Sequence, residues 1–245
     1  MEAAMIRSEA EAQMAPIIAV SERRLKVLHP GKMLLEDALK TAFENALSDK
    51  GKLDDDVLNI DGMSGKKYRS FINNLISLIQ NPRYLEVGSW AGSTLCSAIH
   101  KNALTAVAID NWSQFGGPIS SFFSNVSRHC SADTKLTVVS RDFRTVAFDA
   151  LGRFNVYLFD GPHEYADQYD GLAMAINCLD NEFIYIVDDW NWEQVRIGTS
   201  HAIANLNLEI VHSIEIRTTT DGSHPKVCGK DSDWHNGYFI SLLRK

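Results

Sequence analysis

The sequence has few cysteines and no closely spaced pair among them. Its four cysteines, Cys96, Cys130, Cys178 and Cys228, are scattered, with no C-x-x-C motif and no neighbouring histidine pattern. This spacing argues against a disulfide framework and against a structural zinc site, which needs closer ligands. We therefore expect reduced thiols of a cytoplasmic protein.

The sequence also has no cluster of basic residues and no long apolar run. It carries 24 Lys and Arg against 31 Asp and Glu, a net charge of −7. This charge does not support sequence-independent electrostatic binding to nucleic acid phosphates. The first residues include Glu2, Glu9 and Glu11, so we expect neither a signal peptide nor a membrane span. The expected partner is a small molecule.

The length and composition permit one full hydrophobic core. With 245 residues and 45% hydrophobic content, the chain can form a single α/β domain with an N-terminal appendage. Helix-like composition from Met1 to about Ala19 and helical spacing from Met33 to Leu47 predict a helical extension over residues 1–60, before a domain of residues 61–245. The extension is predicted either to cap the site or to form a homo-oligomer interface, and the sequence leaves both open.

The segment Arg83 to Ala98, RYLEVGSWAGSTLCSA, has the pattern of a strand, a glycine turn and a helix start. Glycine at Gly88 and Gly92 lets a ligand approach the backbone, and free N–H groups at a helix start point outward. A second apolar strand ends at Asp110, about 20 residues further on, where an acidic side chain can hold ribose hydroxyls. An ordinary strand-to-helix turn remains the alternative.

An acidic residue just before the first glycine, together with G-x-x-x-G, resembles motif I of the class I S-adenosylmethionine (SAM)-dependent methyltransferases. The resemblance implies SAM as cofactor and a Rossmann-like, doubly wound seven-stranded sheet of order 3-2-1-4-5-7-6, with strand seven antiparallel. The residues that would bind the cofactor are Met63, Ser64, Glu86, Gly88, Ser89, Gly92, Ser93, Asp110, Asn111, Trp112, Asp142, Phe143 and Asp160.

Three of these assignments have structural alternatives. Ser64, with Asp61, could cap the helix predicted from Lys66. Trp112 could stack on an adenine face or fill the core at the edge of its loop. Asp142 could accept from the adenine amino group or cap the helix predicted near Thr145.

Two further strand ends carry acidic residues. Asp160-Gly161-Pro162-His163-Glu164-Tyr165 and Asp188-Asp189-Trp190-Asn191-Trp192 each follow an apolar strand. The carboxyl ends of neighbouring parallel strands line one crevice, so the three aspartates are expected to converge there. Gathered carboxylates repel one another, and a hard divalent cation relieves that repulsion. The alternative is that the aspartates are helix N-caps.

These two segments resemble the metal-dependent O-methyltransferases, most closely the group that methylates sugar and antibiotic hydroxyls (methyltransferase family 24 type), with Asp-Gly-x-His-x-Tyr and Ile-x-Asp-Asp-aromatic. The resemblance implies a divalent cation, Mg²⁺ by preference, held by Asp160, Asp188 and Asp189. His163 or Asp160 would act as the base, and Tyr165, Trp190 and Trp192 would face the substrate. His163 as a structural hydrogen-bonding residue, and the aromatic residues as core filling, remain alternatives.

The resulting hypothesis is methyl transfer from SAM to a hydroxyl of a small molecule, a sugar or a secondary metabolite. A second hypothesis keeps the fold but gives the protein a non-methylating or partner role in a biosynthetic pathway, as for proteins similar to cephalosporin hydroxylases. Nucleic acid methylation is disfavoured, because the Asn-Pro-Pro-aromatic motif is replaced by Asp160-Gly161-Pro162-His163.

Overall fold

A computed structural model describes residues 33–245 and the backbone of residues 17–22. The strands of this part of the chain are β1 (Ile17–Glu22), β2 (Arg83–Val87), β3 (Leu104–Asp110), β4 (Thr134–Ser140), β5 (Phe154–Phe159), β6 (Leu179–Asp188), β7 (Glu209–Arg217) and β8 (Tyr238–Arg244). Its helices are α1 (Leu35–Leu47), α2 (Asp55–Leu58), α3 (Lys66–Leu78), α4 (Ser93–Ile99), α5 (Ile119–His129), α6 (Tyr165–Ala175) and α7 (Glu193–Asn205).

The strands form one sheet in the order β1-β7-β8-β6-β5-β2-β3-β4. Strands β4, β3, β2, β5 and β6 are parallel, and β8 lies antiparallel between β6 and β7. Counted from β2 as strand one, this is the order 3-2-1-4-5-7-6 with the seventh strand antiparallel, which confirms the predicted fold. The edge strand β1, antiparallel to β7, was not predicted.

Most of the N-terminal prediction lies outside the described residues. The predicted helix from Met1 to about Ala19 falls on residues 1–16, which are not described, except at its end, where the structure has strand β1. Helix α1 packs against α3, and Phe43 lies edge-to-face with Phe71 at 6.5 Å. Residues of α1 belong to the hydrophobic core of the sheet. The predicted domain boundary at residue 60 stays a prediction.

Helices cover both faces of the sheet. One hydrophobic cluster lies under α1, α3, α4 and α5, and a second lies under α6 and α7. Strand β5 is buried at every position, as expected of a central parallel strand covered on both sides. None of the helices in residues 33–245 is long and apolar enough to cross a lipid bilayer.

A loop of residues 218–237 joins β7 to β8 and contacts the start of α3. The N–H group of Lys66 donates to the carbonyl of Ser232, and that of Lys67 donates to the carbonyl of Asp233. These carbonyls satisfy the free N–H groups of the helix start, which has no side-chain cap. The predicted cap by Ser64 or Asp61 is therefore wrong, because the cap residue is Gly65 and a distant loop supplies the acceptors.

Candidate active site

A groove opens where β2, β3, β4 and β5 end. It has about 790 Å³ of empty space, part of it open to solvent. The groove lies where the chain order reverses on either side of β2, the usual place for a ligand in an open α/β sheet. The predicted residues that line it are Met63, Gly88, Asp110, Asn111, Asp142, Phe143, Asp160 and His163.

Gly88 brings two strand ends together. Its φ is +86°, and a Cβ atom there would lie 1.7 Å from the carbonyl oxygen of Asp160. The N–H of Asp160 donates to the carbonyl of Val87 at 2.8 Å. A side chain at Gly88 would therefore separate β2 from β5 and move Asp160 out of the groove. The sequence argument placed a ligand against this glycine, and Gly88 both lines the groove and lies close to the neighbouring strand.

Asp110 organises the glycine turn. Its Oδ2 accepts from the N–H groups of Ser89 and Trp90 at 2.8 and 2.7 Å, and its Oδ1 accepts from the N–H of Trp112 at 2.6 Å. Asp110 also lines the groove. Because an ionised carboxylate has about four lone-pair sites, it can hold the turn and still accept from a ligand hydroxyl.

Asp142 lines the groove and also caps a short helical turn. Its Oδ1 accepts from the N–H of Arg144 at 2.9 Å. The capped element is a single turn of 3₁₀ helix, Phe143–Thr145, instead of the longer helix that the sequence predicts near Thr145.

Several predicted cofactor-binding residues do not line the groove. These are Ser64, Glu86, Ser89, Gly92, Ser93 and Trp112. Glu86 is fully buried and accepts a hydrogen bond from the hydroxyl of Tyr84 at 2.5 Å. Two residues apart on β2, both side chains point to the same covered face of the sheet. Burial raises the pKa of Glu86 to about 7.

Ser64 and Ser93 interact with each other instead of with the groove. Their hydroxyl oxygens lie 3.0 Å apart, and both side chains are buried. The guanidinium of Arg69 donates to the hydroxyl of Ser64 at 3.0 Å. These contacts fix the segment before α3 against the start of α4.

Trp112 is a core residue at the edge of its loop and does not line the groove. Its ring packs edge-to-face on Phe122 at 5.1 Å, and its Nε1 donates to the carbonyl of Trp90 at 2.8 Å. The structure places other aromatic rings at the groove, on Trp90 and on Phe115, which is 64% exposed. The groove residues that sequence reasoning missed include Trp90, Ser113, Gln114, Phe115 and Arg141. Of these, Trp90 could have been found from the sequence, because it is the aromatic residue inside G-x-x-x-G.

The acidic residues meet beside the groove. Asp160, His163 and Asp189 have possible metal-ligand atoms within 4.8 Å of one another. His163 Nε2 lies 2.5 Å from Asp189 Oδ2 and 3.8 Å from Asp160 Oδ1, but it makes no aligned hydrogen bond. Asp188, which the sequence grouped with the other two aspartates, is buried, and its Oδ1 accepts from the N–H of Asp189 at 2.7 Å. We call Asp160, Asp188 and Asp189 the acidic cluster.

The acidic cluster brings three carboxyl groups close together, which opposes their ionisation. Burial raises the pKa of Asp160 well above its usual range, and the charges of Asp188 and Asp189 raise it further. Burial and the charge of Asp189 raise the pKa of Asp188 in the same way. Within residues 33–245, His163 is the basic side chain that pairs with Asp160 and Asp189. Closely spaced oxygen ligands and an unaligned imidazole nitrogen fit a divalent cation.

Asn236 orients Asp189. Its Nδ2 donates to Asp189 Oδ1 at 2.6 Å, and Asn191 Nδ2 donates to Asn236 Oδ1 at 2.8 Å. Both asparagines are fully buried, and Asp189 has a left-handed φ of +57°. Sequence reasoning missed this network, because the pairing of β6 with β8 brings the two segments together.

The three aromatic residues predicted to face the substrate separate in space. Trp190 is buried, stacks on Phe239 at 4.5 Å, and is a core residue. Tyr165 is exposed, and its hydroxyl bonds to Nδ1 of His201 at 2.9 Å, away from the groove lining. Trp192 lies edge-to-face with His163 at 5.3 Å. Only Trp192 of the three contacts this part of the site.

The sheet order, the glycine turn after the first parallel strand and the acidic residue that ends the second define the class I SAM-dependent methyltransferase fold. A family described as Methyltransferase domain matches residues 85–190, which contain the glycine turn and the acidic cluster. Residues 85–190 therefore match a methyltransferase family, and the sheet has the fold of class I SAM-dependent methyltransferases.

Solved structures share the fold at low sequence identity. Rv0187 from MTB, solved with a bound cofactor, has 16% identity and a TM-score of 0.52, over 88% of this chain and 92% of that chain. A second neighbour is the O-methyltransferase TomG from Streptomyces achromogenes, which is involved in tomaymycin synthesis and was solved with SAM. It has 14% identity and a TM-score of 0.52, over 85% of this chain and 90% of that chain.

SMU.776, classed as a methyltransferase and solved with SAH, has 12% identity and a TM-score of 0.51, over 74% of this chain. The match spans 49% of SMU.776, about half of its length. Comparison with curated protein sequences finds no significant match.

Proposed function

We propose that the protein transfers the methyl group of SAM to a hydroxyl of a small molecule, a sugar or a secondary metabolite. The observation that carries the proposal is the position of the acidic cluster and His163 directly beside the groove. A sulfonium methyl group is already activated, so the enzyme has to position and deprotonate the acceptor. The neighbour TomG, named as an O-methyltransferase, supports this reaction class.

The cofactor would lie along the groove. Asp110 would accept from the ribose hydroxyls, and Asp142 would accept from the adenine amino group. Met63, which lines the groove and is 36% exposed, would contact the methionine end. This arrangement directs the sulfonium towards Asp160, where the acceptor would bind.

The acidic cluster would hold a divalent cation, Mg²⁺ by preference. When bound, such a cation lowers the pKa of an acceptor hydroxyl and orients its oxygen. His163 would take the hydroxyl proton, because its ring lines the groove beside Asp160 and an imidazole nitrogen can act as a general base. Asp189 and Asp160, 2.5 and 3.8 Å from Nε2, would stabilise the imidazolium that forms.

His163 has a second candidate role. Its Nε2 lies within 4.8 Å of carboxylate oxygens of Asp160 and Asp189, so all three residues could bind the same cation. The two roles differ in what happens when the ring is removed. A base is needed for methyl transfer only, whereas a ligand is needed for cation binding as well.

The test combines calorimetry with SAH and transfer of labelled methyl groups from SAM to a panel of sugars and phenols, with and without chelator. We expect SAH binding and transfer that stops with EDTA and returns with Mg²⁺. His163→Ala should lower transfer by about 100-fold or more and keep Mg²⁺ binding, whereas Asp160→Asn should weaken both. Loss of Mg²⁺ binding in His163→Ala would make His163 a ligand, and SAH binding without transfer to any hydroxyl would favour the partner role.

The four cysteines are all unpaired in the structure, as in a reducing compartment. We therefore propose a cytoplasmic location. Fractionation of cells that express the full chain, with an antibody to it, tests this directly.

A further inference from the structure

A second group of ligand-type side chains lies on the loop of residues 218–237. His224, Cys228 and His235 have possible ligand atoms within 4.8 Å of one another. The imidazole rings of His224 and His235 lie 5.2 Å apart, edge-to-face. None of the three residues lines the groove or has a part in the methyl transfer proposed above.

Contrary to the expectation from the scattered cysteines, we propose that His224, Cys228 and His235 form a binding site for Zn²⁺. One thiolate and two imidazoles are typical zinc ligands, whereas the acidic cluster offers the oxygen ligands that Mg²⁺ prefers. His224 and Cys228 are exposed, so a fourth ligand position faces solvent. The site does not depend on the identity of the methyl acceptor.

His224 is held in a form that can bind a metal. Its Nδ1 lies 3.1 Å from the carbonyl oxygen of Pro225, which accepts a hydrogen bond from Nδ1–H. That bond places the proton on Nδ1 and leaves the lone pair of Nε2 free. A backbone carbonyl on the other ring nitrogen is a common way to orient a metal-binding histidine.

His235 is fixed in position by its backbone. Its N–H donates to the hydroxyl of Ser232 at 2.9 Å, and its carbonyl accepts from the hydroxyl of Thr218 at 3.0 Å. The ring accepts from the N–H of Gly229 at 2.9 Å, so Nδ1 presents a lone pair to the residue next to Cys228. Metal binding at Nδ1 would replace this hydrogen bond with a coordinate bond.

The ring of His235 is buried, and its Nδ1 accepts a hydrogen bond, so this nitrogen carries no proton. The neutral ring is the form that binds a metal. The Cys228 thiol is unpaired, and it would lose its proton when the ion binds. Zn²⁺ would therefore join three points of a loop that also supplies Asn236 to Asp189 and the carbonyl groups that cap α3.

The test is a Co²⁺ titration of the full chain followed by absorption, because a cobalt thiolate gives a charge-transfer band that carboxylate ligands do not. We expect a band that saturates and is displaced by Zn²⁺. Cys228→Ser should abolish it, and His224→Ala should weaken Co²⁺ binding by about tenfold or more. The matched control is Cys130→Ser, since Cys130 is a partly exposed thiol outside the loop, and it should keep the band.

Asp160→Asn should also keep the band, which separates this site from the acidic cluster. Absence of the band in the unaltered chain, or its persistence in Cys228→Ser, would overturn the proposal. Circular dichroism of each variant checks that the fold is retained, and Cys228 and His224 are exposed, so their replacement should leave it intact. Failure of methyl transfer to any acceptor, with the band present, would contradict the proposed function alone.

Discussion

Asn236 donates a hydrogen bond of 2.6 Å to Oδ1 of Asp189, from the residues just before β8 to the residue just after β6. The other carboxylate oxygen, Oδ2, is the atom that lies 2.5 Å from His163 Nε2. One buried amide therefore determines which oxygen of Asp189 faces the site. The same amide is held by Asn191, so that its own orientation is fixed.

Asn236→Ala should lower kcat by about 10- to 100-fold, a typical cost of losing a partner that orients a site residue. SAH affinity, measured by calorimetry, should stay the same, because Asn236 does not line the groove. Asn236→Asp tests the hydrogen bond itself, since it keeps the size but removes the donor. Asn205→Ala, on the exposed side of α7, is the control. An unchanged kcat in Asn236→Ala would contradict the positioning role.

Asp110→Ala should weaken SAH binding by about tenfold or more, because the backbone loses three hydrogen bonds to this carboxylate and the cofactor loses its acceptor. The free energy of unfolding should fall by about 1–3 kcal/mol, since the N–H groups of the turn lose a charged partner. Calorimetry and denaturant titration measure the two effects. Asp133→Ala, at an exposed position before β4, should change neither.

Glu86 should make stability depend on pH. Its pKa is raised by burial from 4.5 to about 7, so the folded state binds its proton more tightly than the unfolded state. The stabilisation is fully present below pH 4.5 and is lost as pH rises through 7, which amounts to about 3 kcal/mol. Glu86→Gln should remove this part of the pH dependence, because glutamine does not titrate. Its amide oxygen can still accept the hydrogen bond from Tyr84.

The measurement for Glu86 is the free energy of unfolding of both proteins between pH 4.5 and 8. As pH rises, the free energy of unfolding should fall less for Glu86→Gln than for the unaltered chain. Glu44→Gln, an exposed position on α1, supplies the matched control. Parallel curves for the Glu86→Gln variant and the unaltered chain would show that Glu86 does not titrate in this range.

Trp190 and Trp192 should respond differently to truncation. Trp190→Ala should destabilise the fold by about 3–5 kcal/mol, because it removes a buried ring that stacks on Phe239. Trp192→Ala should change stability little and raise the KM for the acceptor by about tenfold, since its ring contacts His163 beside the groove. Thermal unfolding and steady-state kinetics separate the two. A larger KM effect in Trp190→Ala would reverse the assignment.

The sequence by itself determined the strand, glycine turn and helix of residues 83–99 and the acidic ends of β5 and β6. These features depend on local patterns, namely apolar runs, glycine spacing and the residues that follow a strand. The sheet order followed from the resemblance that these motifs support. The sequence also indicated correctly that Asp110, Asp142 and Asp160 come to one groove.

The tertiary structure alone decided which neighbouring side chains face that groove. Asp188 and Asp189 are adjacent in the sequence and both buried, but only Asp189, which has a left-handed backbone, places its carboxylate against His163. Asn236 and His235 come from a loop whose path is set by pairing of β8 with β6 and β7. Such contacts depend on long-range packing, whereas the sequence reports mainly local preference.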